Sequence, residues 1–248
     1  MKLVFDRPRS MRDKPMHFCP GCSHGIVHRL VAEAIDTLGL RERTVAVAPV
    51  GCAVFMYEYM DFDVTEAPHG RSPAVATGIK RSRPDLFVFT YQGDGDIGAI
   101  GLAEIISAAN RGENFSVVFV NNTVFGMTGG QMAPTTLLGQ RTTTTPAGRE
   151  AKTEGHPLRM AELISGLEAP SYVARVAVDS PAHVVRARKT IQRAFSTSGG
   201  QVGEEGFSFV EVLGACPLNW GLSPAEAIKR VQEELIPYYP LKVFKDKG

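Results

Sequence analysis

Several functional classes drop out on what the 248 residues lack. No apolar run approaches the ~20 residues that a membrane-spanning helix needs, so no membrane partner is expected. Charge of one sign is not in excess: 27 Lys and Arg against 26 Asp and Glu leave a formal +1. That balance argues against a broad cationic surface for nucleic acid. Residues 1–15 are mixed and basic and lack the apolar core of a secretory signal, which points to the cytoplasm. Cysteine is scarce, with four in the chain. In a reducing compartment these are expected as metal ligands or free thiols rather than as disulfides. No internal repeat is present, and the one low-complexity run is Thr142 to Thr145.

What remains is an ordinary globular composition, 44% hydrophobic and 21% charged. Ile26, Val27, Leu30, Val31, Ala34, Ile35 and Leu38 recur at helical spacing, and Gly39 supplies a stop. Residues 44–50, 86–91 and 116–121 read as short buried strands. Residues 73–81 and 96–111 read as helices between them, the second closed by Gly112. Residues 123–157 have no period and are rich in Gly, Thr and Pro; such a segment inside a compact domain is usually functional or disordered. Helices at 160–167, 182–196 and 224–235 alternate with strands at 172–178 and 207–213. The expected fold class is α/β, a parallel sheet with helices on both faces. One domain spans 1–248, with an N-terminal arm (1–15) and a C-terminal extension from about 217. Ligands of such sheets sit beyond the carboxyl ends of the strands.

Strand 86–91 runs into Gln92-Gly93-Asp94-Gly95-Asp96, and strand 116–121 ends in Asn121-Asn122. An anionic and a neutral oxygen donor thus lie at neighbouring strand ends. Mg²⁺ prefers such ligands and completes its shell with phosphate and water. A diphosphate there would also meet backbone N–H groups near a helix start. A plain βα turn is the simpler reading of Gly-Asp-Gly alone; the second element at its own strand end favours the ligand site.

Cys19-Pro20-Gly21-Cys22 precedes a helix, Cys52 follows a strand, and Cys216 follows another. All four can therefore converge on the ligand edge of the sheet. Thiolates so placed suit a [4Fe–4S] cluster, a zinc ion or, for the close pair alone, a redox dithiol. His24 and His28 lie four apart on one helix face, where packing or surface roles are expected rather than metal binding. Glu104, a carboxylate on an apolar helix, is expected to be structural or partly exposed. Lys2, Arg7, Arg9, Arg12 and Lys14 form a basic arm that is expected to be solvated or to face an acidic partner.

Gly93-Asp94-Gly95, the interval 96–120 and Asn121-Asn122 resemble the thiamine diphosphate-binding motif. That resemblance makes Asp94, Asn122 and the backbone carbonyl of Val124 the Mg²⁺ ligands. The segment His69-Gly70-Arg71-Ser72-Pro73 to Gly78 resembles the Gly-rich helix start that precedes the motif. Together with the cysteines, these segments resemble the β subunit of 2-oxoacid:ferredoxin oxidoreductases over residues 18–222. The similarity is greatest to the branch acting on branched-chain 2-oxoacids or 2-oxoglutarate, through Gly126-Met127-Thr128-Gly129-Gly130-Gln131 and residues 142–146.

The resemblance implies a [4Fe–4S] cluster on Cys19, Cys22, Cys52 and Cys216. It implies cofactor contacts from Gly51, His69, Gly70, Arg71, Gly93, Asp94, Gly95, Asp96, Asn122, Val124, Gly126, Met127 and Thr128. It implies coenzyme A as co-substrate, ferredoxin or a ferredoxin-like subunit as acceptor, and α/γ-type partner subunits. These partners would supply the substrate pocket and the Glu that activates the aminopyrimidine, so no acid–base residue is assigned in this chain. Ala53-Val54-Phe55 departs from members with a basic residue at the third position after the cysteine. With the apolar Met127, this leans toward a hydrophobic 2-oxoacid. The alternative is a non-redox thiamine diphosphate-dependent decarboxylase subunit with a structural zinc.

Overall fold

The computed structural model describes residues 6–199 and 206–248. The chain builds β1 (Thr44–Ala48), β2 (Asp63–Glu66), β3 (Phe87–Gly93), β4 (Ser116–Asn121), β5 (Val124–Phe125), β6 (Gln131–Met132), β7 (Tyr172–Ala177), β8 (Ser208–Leu213) and β9 (Lys242–Asp246). Seven of them form one sheet in the order β2-β1-β3-β4-β8-β7-β9, while β5 and β6 make a separate antiparallel pair. All neighbours in the large sheet are parallel except β7 and β9. The sheet is therefore mixed at one edge rather than wholly parallel. Strand β9 comes from Lys242-Val243-Phe244-Lys245-Asp246, whose polar edge residues hid it among loop-like sequence.

Both faces are covered, as the runs of apolar residues require. On one face the helices His24–Thr37 and Pro181–Gly199 pack Val27, Val31, Ile35, Ile191 and Phe195 against Phe87, Phe89 and Tyr91. On the other, Ser72–Ser82, Leu102–Asn110 and Met160–Ser165 cover Val88, Val117, Phe119 and Phe209. Alternation along β3 sends Tyr91 to the first face, against His24 and His28. Those two histidines fill the buried stripe, whereas Ile26 is exposed. No described helix is long and apolar enough to cross a membrane.

Two helices differ from their sequence pattern. The expected helix over 96–111 is a wide turn, Asp96–Ile100, a break at Gly101, and the helix Leu102–Asn110. The break has a steric cause: a Cβ on Gly101 would lie 2.5 Å from the Gly70 carbonyl oxygen. The expected helix over 224–235 opens on a capping box between Ser223 and Glu226. It widens at Val231–Leu235, just before Pro237, which has no N–H to donate back to the preceding turn.

The arm is not free. Ser10 is buried with its hydroxyl on Asp36, Met11 pairs with Met60, and Arg7, Arg12 and Lys14 meet Asp13, Asp61 and Glu58. Lys2 lies outside the described residues. Residues 217–248 add β9 and a satellite core in which Val231, Leu235 and Tyr239 pack on Leu137, Leu213 and Ala215.

A buried ion pair ties β7 to β8 below the ligand edge. Arg175 and Glu211 are cross-strand partners and both side chains are fully buried. Arg175 Nε lies 2.9 Å from Glu211 Oε2. The guanidinium also pairs with Glu162 and sits between the rings of Tyr239 and Phe244. Glu211 Oε1 accepts from Asn121 Nδ2 at 2.7 Å. Substituting Arg175→Met strands the Glu211 charge in the core. It should cost about 3–5 kcal/mol, read as a lower urea midpoint; an unchanged midpoint would contradict this role.

Candidate functional site

Strand order places the site. The chain steps from β1 outward to β2, then crosses back to lay β3 on the other side of β1. A doubly wound sheet opens a crevice at such a reversal, at the carboxyl ends of the strands. The largest convergence of candidate residues lies there, in a cavity lined from three strand ends. Pro49 to Ala53 follow β1, Gly93 ends β3 with Asp94 to Asp96 after it, and Asn122 and Val124 to Thr128 follow β4. His24 and His69 complete the wall.

The register sets the two polar side chains side by side. Gly93 is opposite Val120, so Asp94 and Asn122 emerge from adjacent strands. Both side chains are buried, Asp94 to 2% exposure. Asp94 Oδ2 accepts from Thr135 Oγ1 at 2.7 Å, and Oδ1 accepts from the Gly95 N–H at 3.0 Å. Burial nevertheless pushes its pKa up to about 7, against the opposing pull of those bonds. A carboxylate in this state is short of a positive partner. Gly95 is required for space: a Cβ there would lie 2.3 Å from the Phe125 ring.

Asn121 and Asn122 divide the work. Asn121 looks inward, donating to Glu211 and accepting from the Thr123 N–H at 3.2 Å. Asn122 faces the cavity. The turn between them and Val124 is held at Thr123, whose φ of 62° is the one positive value outside glycine among the described residues. A β-branched residue there is strained, and strain of this kind collects at functional turns. Thr136 Oγ1 and Gln140 Nε2 hold the Thr123 carbonyl at 2.5 and 3.2 Å.

Segment 123–157 is ordered by a buried cation that its composition did not reveal. Arg149 donates to the carbonyls of Pro134, Thr136, Glu154, Gly155 and His156 at 2.6–3.0 Å. Tyr239 Oη adds a bond to the Thr135 carbonyl at 2.7 Å, behind the hydroxyl that holds Asp94. Thr135, Arg149 and Tyr239 escaped the sequence reading because no local motif marks them.

Asp96 is a cavity residue with its oxygens already taken. It accepts from His69 Nδ1 at 2.5 Å, the Gly70 N–H at 2.6 Å and Gln92 Nε2 at 2.5 Å. It thereby anchors the His69-Gly70 turn and leaves His69 on the wall. Gly70 and Arg71 do not reach the cavity; Arg71 turns outward to Glu104. Glu104 is thus engaged in an ion pair, with its second oxygen buried and unpartnered. The Thr128 hydroxyl bonds Gln131 at 2.5 Å, and Met127 is 48% exposed. His24 Nδ1 lies 2.8 Å from Tyr91 Oη. Burial lowers His24 to about 4 and His28 to about 3, so both are neutral packing groups at pH 7.

The four cysteines line a second cavity of about 190 Å³, with His17, Phe18 and Asn219. A pair of bonds draws their segments together. The Ser23 N–H donates to the Ala215 carbonyl at 3.3 Å, and the Ala215 N–H donates to Ser23 Oγ at 2.8 Å. That link sets the Cys19–Cys22 turn beside Cys216. Cys19 is exposed and Cys216 buried. Burial and the neighbouring sulfurs push Cys22 up to about 11 and Cys52 up to about 12. Among the described residues no three His, Cys, Asp or Glu side chains are placed to hold a single metal ion. The two cavities share a wall of Cys52, Asn122, Gly126 and Met127.

Comparison with known proteins identifies the family. The family model described as thiamine pyrophosphate enzyme, C-terminal TPP binding domain, matches residues 49–212. The ketoisovalerate oxidoreductase subunit VorA of Methanothermobacter thermautotrophicus is 49% identical over 245 residues, covering 99% of this chain and 51% of the relative. The 2-oxoglutarate synthase subunit KorB of Archaeoglobus fulgidus is 37% identical over 219 residues, covering 88% of this chain and 76% of the relative. The chain spans about half the length of the ketoisovalerate relatives it matches. A solved 2-oxoglutarate:ferredoxin oxidoreductase from Magnetococcus marinus, with 2-oxoglutarate, coenzyme A and succinyl-CoA bound, shares the fold. It matches 100% of this chain and 87% of its own, with a TM-score of 0.79 and 24% identity. The chain therefore belongs to the thiamine pyrophosphate enzymes, in the family of the KorB-type subunits of 2-oxoacid oxidoreductases.

Proposed function

We propose that this chain is the thiamine diphosphate- and [4Fe–4S]-binding subunit of a cytoplasmic 2-oxoacid:ferredoxin oxidoreductase. The observation that carries the reading is the wall shared by the Asp94–Asn122 cavity and the four-thiol cavity. The overall reaction balances as RCOCOO⁻ + HSCoA → RCOSCoA + CO₂ + H⁺ + 2e⁻, and two ferredoxin molecules take one electron each. Thiamine diphosphate supplies the electron sink for loss of CO₂. A one-electron carrier beside it is what separates an oxidoreductase from a simple decarboxylase.

The donor sets fit both groups. Asp94, Asn122 and the Val124 carbonyl offer hard oxygens for a Mg²⁺ that would also take diphosphate oxygens. The cation would supply the positive partner that buried Asp94 is short of. These residues position the cofactor and move no proton. The four thiols surround a cavity instead of closing on one point. A tetrahedral zinc would hold its sulfurs about 3.8 Å apart, whereas a cubane spreads them over four irons. The gathering of all four thiols around a cavity of about 190 Å³ supports the cluster.

Acidic residues on the cavity wall, among those described, are Asp94 and Asp96, and both are engaged. The family resemblance implies that the Glu that activates the aminopyrimidine comes from an α/γ-type partner subunit, and the engagement of Asp94 and Asp96 is compatible with that. Phe55 stands edge-on to His17, and Met127 is at the rim. Phe55 lies outside both cavity walls, so Met127 alone, which offers no cation to a distal carboxylate, supports a branched-chain 2-oxoacid over 2-oxoglutarate.

Two outcomes are expected. The complex purified without oxygen should be brown, with about four irons and four acid-labile sulfides per copy of this chain; stoichiometric zinc without iron would overturn the cluster. Asp94→Ala should weaken thiamine diphosphate binding at least about tenfold, measured by calorimetry on the complex in Mg²⁺. Unchanged affinity and turnover would mean that the site is vestigial.

A further inference from the structure

Directly after Cys216, the short helix Pro217–Trp220 turns the chain back across the wall between the two cavities. Its last two residues both reach the loop that follows β4. Trp220 Nε1 donates to the Asn122 carbonyl at 3.1 Å. Asn219 Nδ2 donates twice, to the Gly126 carbonyl at 2.8 Å and to Cys216 Sγ at 3.3 Å. An Asn that merely capped the turn would use its oxygen as acceptor; here the amide nitrogen spends both hydrogens across the wall.

The surrounding chain is shaped to admit this amide. A Cβ on Gly130 would lie 3.1 Å from Asn219 Cβ and Oδ1. A Cβ on Gly126 would lie 3.1 Å from Cys52 Sγ and 3.8 Å from Asn219 Nδ2. Gly126 is thus where one thiol of the second cavity, the Asn219 amide and the Asn122 side chain come within reach of one another.

We propose that Asn219 is the positioning residue that couples the two cavities. One amide holds the Cys216 sulfur and the Gly126 carbonyl together, and its bond to sulfur raises the potential at which the cluster accepts an electron. The inference rests on the cluster assignment above. Its physical basis is charge. Reduction from [4Fe–4S]²⁺ to [4Fe–4S]⁺ adds one negative charge, part of which falls on the thiolate sulfurs. An N–H donor stabilises the reduced form more than the oxidised one. The same amide that donates to Cys216 Sγ also holds the Gly126 carbonyl of the thiamine-side loop, so the sulfur it tunes is tied to that loop.

The test is a dithionite titration of the anaerobically purified complex, followed by the EPR signal of the reduced cluster. Dithionite supplies the single electron. Asn219→Leu keeps the bulk and removes both donors, and should lower the midpoint potential at unchanged iron and sulfide content. Should leucine reduce cluster content, Asn219→Ala reads the same quantity with less steric demand, and the same downward shift is expected. A midpoint equal to wild type in a fully loaded variant would overturn the role of Asn219. Absence of iron and sulfide from the wild-type complex would instead overturn the cluster assignment itself.

Discussion

Parallel pairing of β3 with β4, with Gly93 opposite Val120, is the contact on which the site depends. It delivers an acid and an amide to one point at the edge of the sheet, each buried by the segment that follows. Nothing local to Asp94 or Asn122 could fix their separation; the backbone ladder does it. The same ladder continues through β8, so Asn121 can reach Glu211 and lock the Asn-Asn turn to the Arg175 ion pair. Stability and site geometry are thus carried by one set of strands.

Placing a carboxylate where water is largely excluded has consequences for the rest of the molecule. Asp94 is desolvated, and the hydroxyl of Thr135 with the N–H of Gly95 offsets part of that cost. Thr135 must itself be held, and Tyr239 from the C-terminal segment does so through its carbonyl. Arg149 gathers carbonyls of a stretch with little helix or strand around one guanidinium, which gives those backbone groups partners. A loop this long and this buried makes sense only because its backbone groups have partners.

Much of the α/β alternation was legible because buried strands such as Phe87-Val88-Phe89-Thr90-Tyr91 are apolar on both faces. The site was legible in part because chemistry needs particular residue types at strand ends: Asp94, Asn122 and the four cysteines announced themselves. The failures have physical causes. Strand β9 is half polar and joins an edge antiparallel. The helix expected from Asp96 is broken because the Gly70 turn packs against Gly101, a tertiary contact without a local signal. Arg71 looked like a cofactor residue beside His69 but points away, to Glu104. Thr135, Arg149 and Asn219 act through backbone carbonyls or a distant side chain, and their spacing carries no pattern.

The central claim is that the thiamine-side cavity delivers electrons across its shared wall to a cluster in the same chain. The most direct measurement is rapid-freeze EPR after mixing the complex with 2-oxoisovalerate and coenzyme A, with ferredoxin withheld. The account predicts a reduced-cluster signal that appears with CO₂ release and requires the 2-oxoacid. Release of CO₂ with the cluster remaining oxidised would contradict it.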